Sequence, residues 1–191
     1  MIPELWTFPL RFTTPAFIGG AEPNVRAELR VPSIRGALRA WYRVIVGPEV
    51  AAGLVPTHAH LRESLLFGGT GRGEGQGLAS LSLEDRAPTG EHSWSNKEIR
   101  GRNPGLAYLG FSFDFRPNNR RYIASDTTFR LRVLLARGAP DDAADLLLHT
   151  LWAWVTLGGL GSRSRRGFGS LAWDGAPELG RLGGARVQRS L

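Results

Sequence analysis

An α+β fold is what the sequence predicts, on three observations. Candidate elements run strand, helix, strands, helix, strand along the chain. Two segments repeat apolar residues at helical spacing, while others alternate or concentrate β-branched and aromatic residues at strand length. The 191 residues are 42% hydrophobic, with six tryptophans and nine phenylalanines, which suits one medium domain with a real core. That element order matches a split βαβ, or ferredoxin-like, unit carrying insertions.

Residues 5 to 13, LWTFPLRFT, predict the first strand, with Pro9 favouring an edge or a bulge. A glycine-bearing loop, TTPAFIGGAEPNVRAELR, follows at 13 to 30. Ser33 after Pro32 reads as an N-cap and Gly47-Pro48 as a stop, so the first helix is expected over 34 to 46. A second helical piece around 58 to 66 ends at the glycine-rich LLFGGTGRGEGQG. LASLSL at 78 to 83 alternates as a strand, and the polar, turn-rich 85 to 105 reads as an insertion.

AYLGFSFDF (107 to 115) and TTFRLRVLL (127 to 135) predict two strands joined around RPNNRR. Pro140-Asp141-Asp142 opens a helix, DAADLLLHTLWAWVTL, apolar on most sides and therefore buried, which ends at Gly158-Gly159. GFGSLAWD (167 to 174) predicts the last strand. One domain is expected over 1 to 191, with its core at about 4 to 175 and a weakly periodic tail at 176 to 191.

The formal net charge is +7, and Lys97 is the only lysine, so arginine supplies nearly all the positive charge. A basic balance fits a solvated surface or a nucleic-acid partner, and position has to separate them. Residues 157 to 170, LGGLGSRSRRGFGS, interleave glycines with three arginines and contain no acid. Glycine permits φ > 0 and close approach of another chain, and arginine offers a planar fork suited to phosphate. On a helical wheel, Ile34, Leu38, Trp41 and Ile45 share one side of the first helix and Arg35, Arg39 and Arg43 another. Like charges at i, i+4 disfavour a helix, so an anion that relieves them, or simple solvation, is implied. Trp41 reads as core, and Tyr42, beside the arginines, as the better candidate for base stacking.

Other chemistries find little to stand on. GLGSRSRRG is no P-loop, because no GK[ST] follows, and it joins helix to strand, the reverse of a dinucleotide fingerprint. No apolar run approaches membrane-span length and no signal peptide is visible; without cysteine there is neither disulfide nor thiolate site, so a cytoplasmic protein without cofactor or metal is expected. His58 and His60 read as exposed and His149 as part of a buried helix, while His92 lies in the insertion. Asp141, Asp142 and Asp145 read as helix-start acids.

TPAFIGG, then VPSIRGALRAWYR, then GGLGSRSRRGFGS together resemble the RAMP superfamily of type III CRISPR–Cas effectors, and most of all the first-numbered subunit of the Cmr (type III-B) complex. These motifs flank roughly residues 13 to 174 in the right order. The resemblance implies a non-catalytic RNA-binding subunit of an antiviral effector complex. It would contact guide RNA and target RNA near the guide 3′ end, beside other RAMP subunits and away from membranes. Typical members carry two such domains, and this chain has room for one.

By position, Ser33, Arg35, Arg39 and Arg43 fall in the helix motif. Gly158, Gly159, Gly161, Ser162, Arg163, Ser164, Arg165, Arg166 and Gly167 fall in the loop motif. Arg26, Arg30 and Tyr42 complete the expected RNA-binding set. The alternative is a metal-independent guide-RNA-processing endoribonuclease, because relatives of that kind use a histidine as general acid/base; here that would be His92.

Overall fold

Alternation in the first strand sets the orientation of the whole domain. The computed structural model describes residues 4–51, 59–71, 75–114 and 119–174. In β1 (Glu4–Phe12), Trp6, Phe8, Leu10 and Phe12 are buried, while Thr7, Pro9 and Arg11 take the other face. After the two-residue β2 (Ala27–Glu28) come helices α1 (Val31–Ala51) and α2 (Ala59–Phe67) and strand β3 (Ala79–Leu83). Between β3 and β7, reaching past the insertion expected at 85 to 105, lie β4 (Thr89–Gly90), β5 (His92–Ser93), α3 (Asn96–Arg102), α4 (Pro104–Leu109), a 3-10 turn at Phe111–Phe113 and β6 (Arg121–Tyr122). Strand β7 (Thr128–Leu135), helix α5 (Ala143–Leu157) and strand β8 (Leu171–Trp173) complete the described chain.

The main sheet has the order β3-β7-β1-β8, and every neighbouring pair is antiparallel. With α1 and α2 between β1 and β3, and α5 between β7 and β8, this is the split βαβ arrangement that the sequence predicts. Pro9 lies in a central strand rather than at an edge. Its carbonyl accepts from the Asp174 amide (3.2 Å), just past the last β1–β8 ladder pair, Leu10–Trp173, so the missing proline donor costs no ladder bond.

Helix α1 differs from the predicted one at both ends. It starts at Val31, with the Ser33 and Ile34 amides bonded to the Arg30 carbonyl, so Ser33 is inside the helix and not its cap. It also runs on through Gly47 and Pro48. Pro48 leaves the Val44 carbonyl without a helical donor, and Val44 is exposed, so water can take that bond. The buried stripe is Ile34, Leu38, Tyr42 and Val46, rotated from the predicted one; Trp41 and Ile45 are only half-buried. Tyr42 is thus a core residue, its ring edge-on to Phe67 at 5.8 Å, and not a surface stacking platform. Helix α5, with Leu147, Leu151, Trp154 and Val155 buried, packs beside α1.

Residues 107 to 115 are not a strand where described. Asn103 caps α4 by accepting from the Leu106 amide (3.0 Å), Pro104 opens it, and Phe111–Phe113 coil into a 3-10 turn. The turn seats Phe113 in a second, smaller core with Phe17, Trp94 and Phe168. The last strand is shorter than predicted, because the loop before it occupies residues up to Ser170. The tail at 176 to 191, the Arg116–Asn118 part of the expected turn and His58 lie outside the described residues.

Candidate nucleic-acid interface

The glycine-arginine loop begins where α5 runs out. The Gly158 amide bonds the Trp154 carbonyl (3.0 Å), and the Trp154 indole donates to the Gly159 carbonyl (3.1 Å). The loop then closes on itself, Leu160 N to Gly169 O (2.8 Å), and docks on residues 14 to 17. Ser162 N donates to Phe17 O (2.9 Å), Gly169 N to Pro15 O (2.9 Å) and Ser170 N to Thr14 Oγ1 (2.9 Å). Gly161 (φ 98°) and Gly169 (φ 63°) make these contacts possible. A Cβ at Gly161 would lie 2.6 Å from the Phe17 carbonyl oxygen, and one at Gly169 would lie 1.9 Å from that of Leu160. These two glycines therefore serve close approach of the protein's own backbone. Gly167 (φ 82°) alone faces open space.

The three arginines of this loop differ. Arg163 adopts the left-handed region (φ 60°), donates to the Leu109 carbonyl and lays its guanidinium over Phe111 at 4.9 Å and Phe113 at 5.4 Å. Arg165 and Arg166 are exposed and form no ion pair among the described residues. Ser162 and Ser164 are half-buried, and the Ser162 hydroxyl accepts from Arg120 (3.3 Å).

On α1 the arginine stripe has an intramolecular counter-charge. Glu63 of α2, only 2% exposed, takes Arg39 Nε on one oxygen (2.5 Å) and Arg43 Nε on the other (2.5 Å). Arg39 also donates to the Gly68 carbonyl (2.9 Å). Burial pushes the Glu63 carboxyl up, but the hydrogen bonds and charges of Arg43 and Arg39 outweigh it and hold the group below the ordinary glutamate value. The same pairing raises Arg43 above its ordinary value. Arg35 stays apart: its buried Nε has no hydrogen-bond partner among the described residues, and it lines a hollow with Arg39, Gly68, Gly75 and Ser80. The repulsion inferred from the helix is thus relieved by an acid from the next helix, a pairing that the wheel of α1 could not display.

The remaining expected residues are scattered. Arg26 pairs with Glu28, and Arg30 is exposed with no ion pair among the described residues. Loop and helix touch where Gly158 meets the Trp41 ring, but Arg163 of the loop binds the Leu109 carbonyl while Arg39 and Arg43 of the helix bind Glu63. His92 is exposed with its ring 5.6 Å from that of Tyr122, and His149 Nδ1 lies 2.7 Å from the Asp145 carbonyl. Among the described residues no cluster of three or more histidines and acids could hold a metal ion, and no described helix is long and apolar enough to cross a membrane. The sequence reading missed Tyr108 and Phe111, two exposed aromatics beside Arg163. Read as strand residues, they gave no sign of facing outward.

Comparison with known proteins gives a consistent picture. The model of the RAMP superfamily matches residues 9–172. The CRISPR system Cmr subunit Cmr1-2 of Pyrococcus furiosus is 27% identical over 176 residues, covering 86% of this chain and 92% of the relative. Cmr1-1 of the same organism is 29% identical over 147 residues, covering 75% and 40%. The crystal structure of apo Cmr1 from Pyrococcus furiosus superposes with a TM-score of 0.61 at 24% identity, covering 95% of this chain and 52% of the other. A chain of the type III-B Cmr-beta complex bound to cognate target RNA gives 0.62 at 15% identity, covering 90% and 54%. The protein therefore spans about half the length of these solved chains.

Proposed function

This chain belongs to the RAMP superfamily, and on that premise we propose that it is a non-catalytic RNA-binding subunit of a type III-B CRISPR effector complex. In this role it contacts guide or target RNA near the guide 3′ end, beside other RAMP subunits, in cytoplasmic antiviral defence. The names of its relatives, Cmr subunits, and the cognate target RNA held by one solved complex support the assignment.

The observation that carries the reading is the docked glycine-arginine loop. It presents Arg165 and Arg166 exposed and, among the described residues, without an acid partner, on backbone already fixed by contacts to residues 14 to 17. Phosphate gains most from donors that need no reordering on binding. Of the helix stripe, Arg35 forms no ion pair among the described residues, while Arg39 and Arg43 share Glu63.

Fluorescence anisotropy with an unstructured RNA, at several salt concentrations, tests the loop. Arg165→Ala with Arg166→Ala should weaken binding of unrelated RNAs alike and lower the salt slope by up to about 0.7 per lost contact. Unchanged affinity and slope in a folded variant would remove the loop from the site. The absence of catalysis has its own test: labelled repeat-derived RNA should survive incubation with or without divalent metal. Specific cleavage lost in His92→Ala would move the protein to the processing class.

A further inference from the structure

We propose that Tyr108 and Phe111 form a stacking platform for an unpaired RNA base, mounted on the α4 end and the 3-10 turn and braced by Arg163. The proposal rests on the RNA-binding reading above and adds a contact to the base itself.

Both rings lie open at the rim of the smaller core, Tyr108 75% and Phe111 50% exposed. They are nearly parallel, with centroids 6.4 Å apart and planes at 30°. Phe113, two residues on, is buried, so the turn separates one inward ring from two outward ones. Gly110 allows this: a Cβ there would lie 2.4 Å from the Trp94 ring, so only glycine lets the turn sit flush on the indole.

The backbone beneath the platform is pinned from three sides. Asn96 Nδ2 donates to the Phe111 carbonyl (2.9 Å), Arg163 to that of Leu109, and the Arg120 amide to that of Phe113 (2.9 Å). The rings are thus presented by a fixed support and not by a slack loop.

Charge identifies the occupant. Lys97, Arg100 and Arg102 on α3 and Arg163, Arg165 and Arg166 on the glycine-arginine loop form no ion pair among the described residues. An apolar protein partner would have to desolvate such cations, and charge is depleted at the centre of protein interfaces. A single-stranded nucleic acid uses both features, with phosphates on the cations and π-faces on the rings. The Arg163 guanidinium against Phe111 extends the same surface.

The test uses the full chain and single-stranded RNA of one length in three forms: unmodified, carrying 2-aminopurine, and carrying abasic nucleotides. Tyr108→Ala with Phe111→Ala should weaken binding of unmodified RNA by about tenfold and leave the salt slope unchanged, since no charge is lost. Tyr108→Phe should bind as the wild type does. Binding should quench 2-aminopurine in the wild type and not in the double variant. Abasic RNA should bind the wild type about tenfold more weakly than unmodified RNA does, a comparison that needs no altered protein to fold. Equal binding of abasic and unmodified RNA, or full affinity and quenching in the folded double variant, would overturn the platform while RNA binding stands. No binding of any RNA by the wild type would overturn the underlying reading with it.

Discussion

Glu63 sits with its carboxylate buried between two guanidiniums, one 30% and the other 65% exposed in its side chain. Replacing the shared carboxylate weakens the charge-assisted hydrogen bonds to both guanidiniums at once, whereas losing Arg43 leaves Glu63 paired with Arg39. Glu63→Gln should therefore lower stability by about 1.5–3 kcal/mol, read by denaturant midpoint. Arg43→Ala, at the exposed end, should cost no more than about 1 kcal/mol. An equal loss in both variants would mean that Glu63 does not clasp α1 to α2. The pH dependence follows from the sign of the shift. The folded carboxyl lies below its ordinary value, so its contribution is complete above about pH 4.3 and is lost as pH falls through the lowered folded value. Acid titration of stability should be shallower in Glu63→Gln than in the wild type. None of this was legible from α1 alone, where Arg35, Arg39 and Arg43 show only their mutual repulsion; the counter-charge arrives from another helix.

Among the elements, the glycine-arginine loop shows two kinds of glycine that the sequence cannot distinguish. Gly169 and Gly161 sit against the protein's own carbonyls, whereas Gly167 needs only its positive φ. Gly167→Ala should thus cost about 1–2 kcal/mol, the left-handed penalty alone. Gly169→Ala must also displace Leu160 backbone, and its melting temperature should fall well below that of Gly167→Ala. Equal melting temperatures would show that the loop is not closed between Leu160 and Gly169. Strands β1 and β7 and helix α5 were legible because each repeats one period over eight or more residues. The stretch 107–115 was misread because AYLGFSFDF has strand composition, yet the Asn103 cap and Pro104 at the helix start were already in the sequence and outvoted it. What fixes the turn is Trp94, a contact at a distance along the chain that local pattern does not carry. Helix α1 outran its predicted stop because Pro48 falls near a solvated end, where a lost hydrogen bond is cheap.

At the scale of the molecule the chain has two cores of unequal size. The larger lies between the main sheet and helices α1 and α5. The smaller joins Phe17 to Trp94, Phe113 and Phe168, with Ile99, Leu106 and Tyr122 around it. Phe17 is its hub, with ring centroids at 3.7 Å from Phe113 and at 5.4 Å from both Trp94 and Phe168. Phe17 and Phe168 come from the two loops that dock on each other, so the smaller core ties the insertion to the glycine-arginine loop. The domain's βαβ frame was legible in the order of its elements, but this second core was not, since its members are spread from residue 17 to residue 168. Phe→Ala in a packed core costs about 3–5 kcal/mol, and contacts this local should open as their own cooperative unit. In Phe17→Ala, hydrogen exchange should therefore speed up across 94–113 and 160–169, while amides of β1 and β7 keep their protection. RNA affinity should fall with it, although no charged or exposed residue has been changed. Uniform loss of protection through β1 and β7 would mean that the two cores unfold as one. Intact protection at 160–169 would mean that the loop is held by its backbone hydrogen bonds and does not depend on the aromatic cluster.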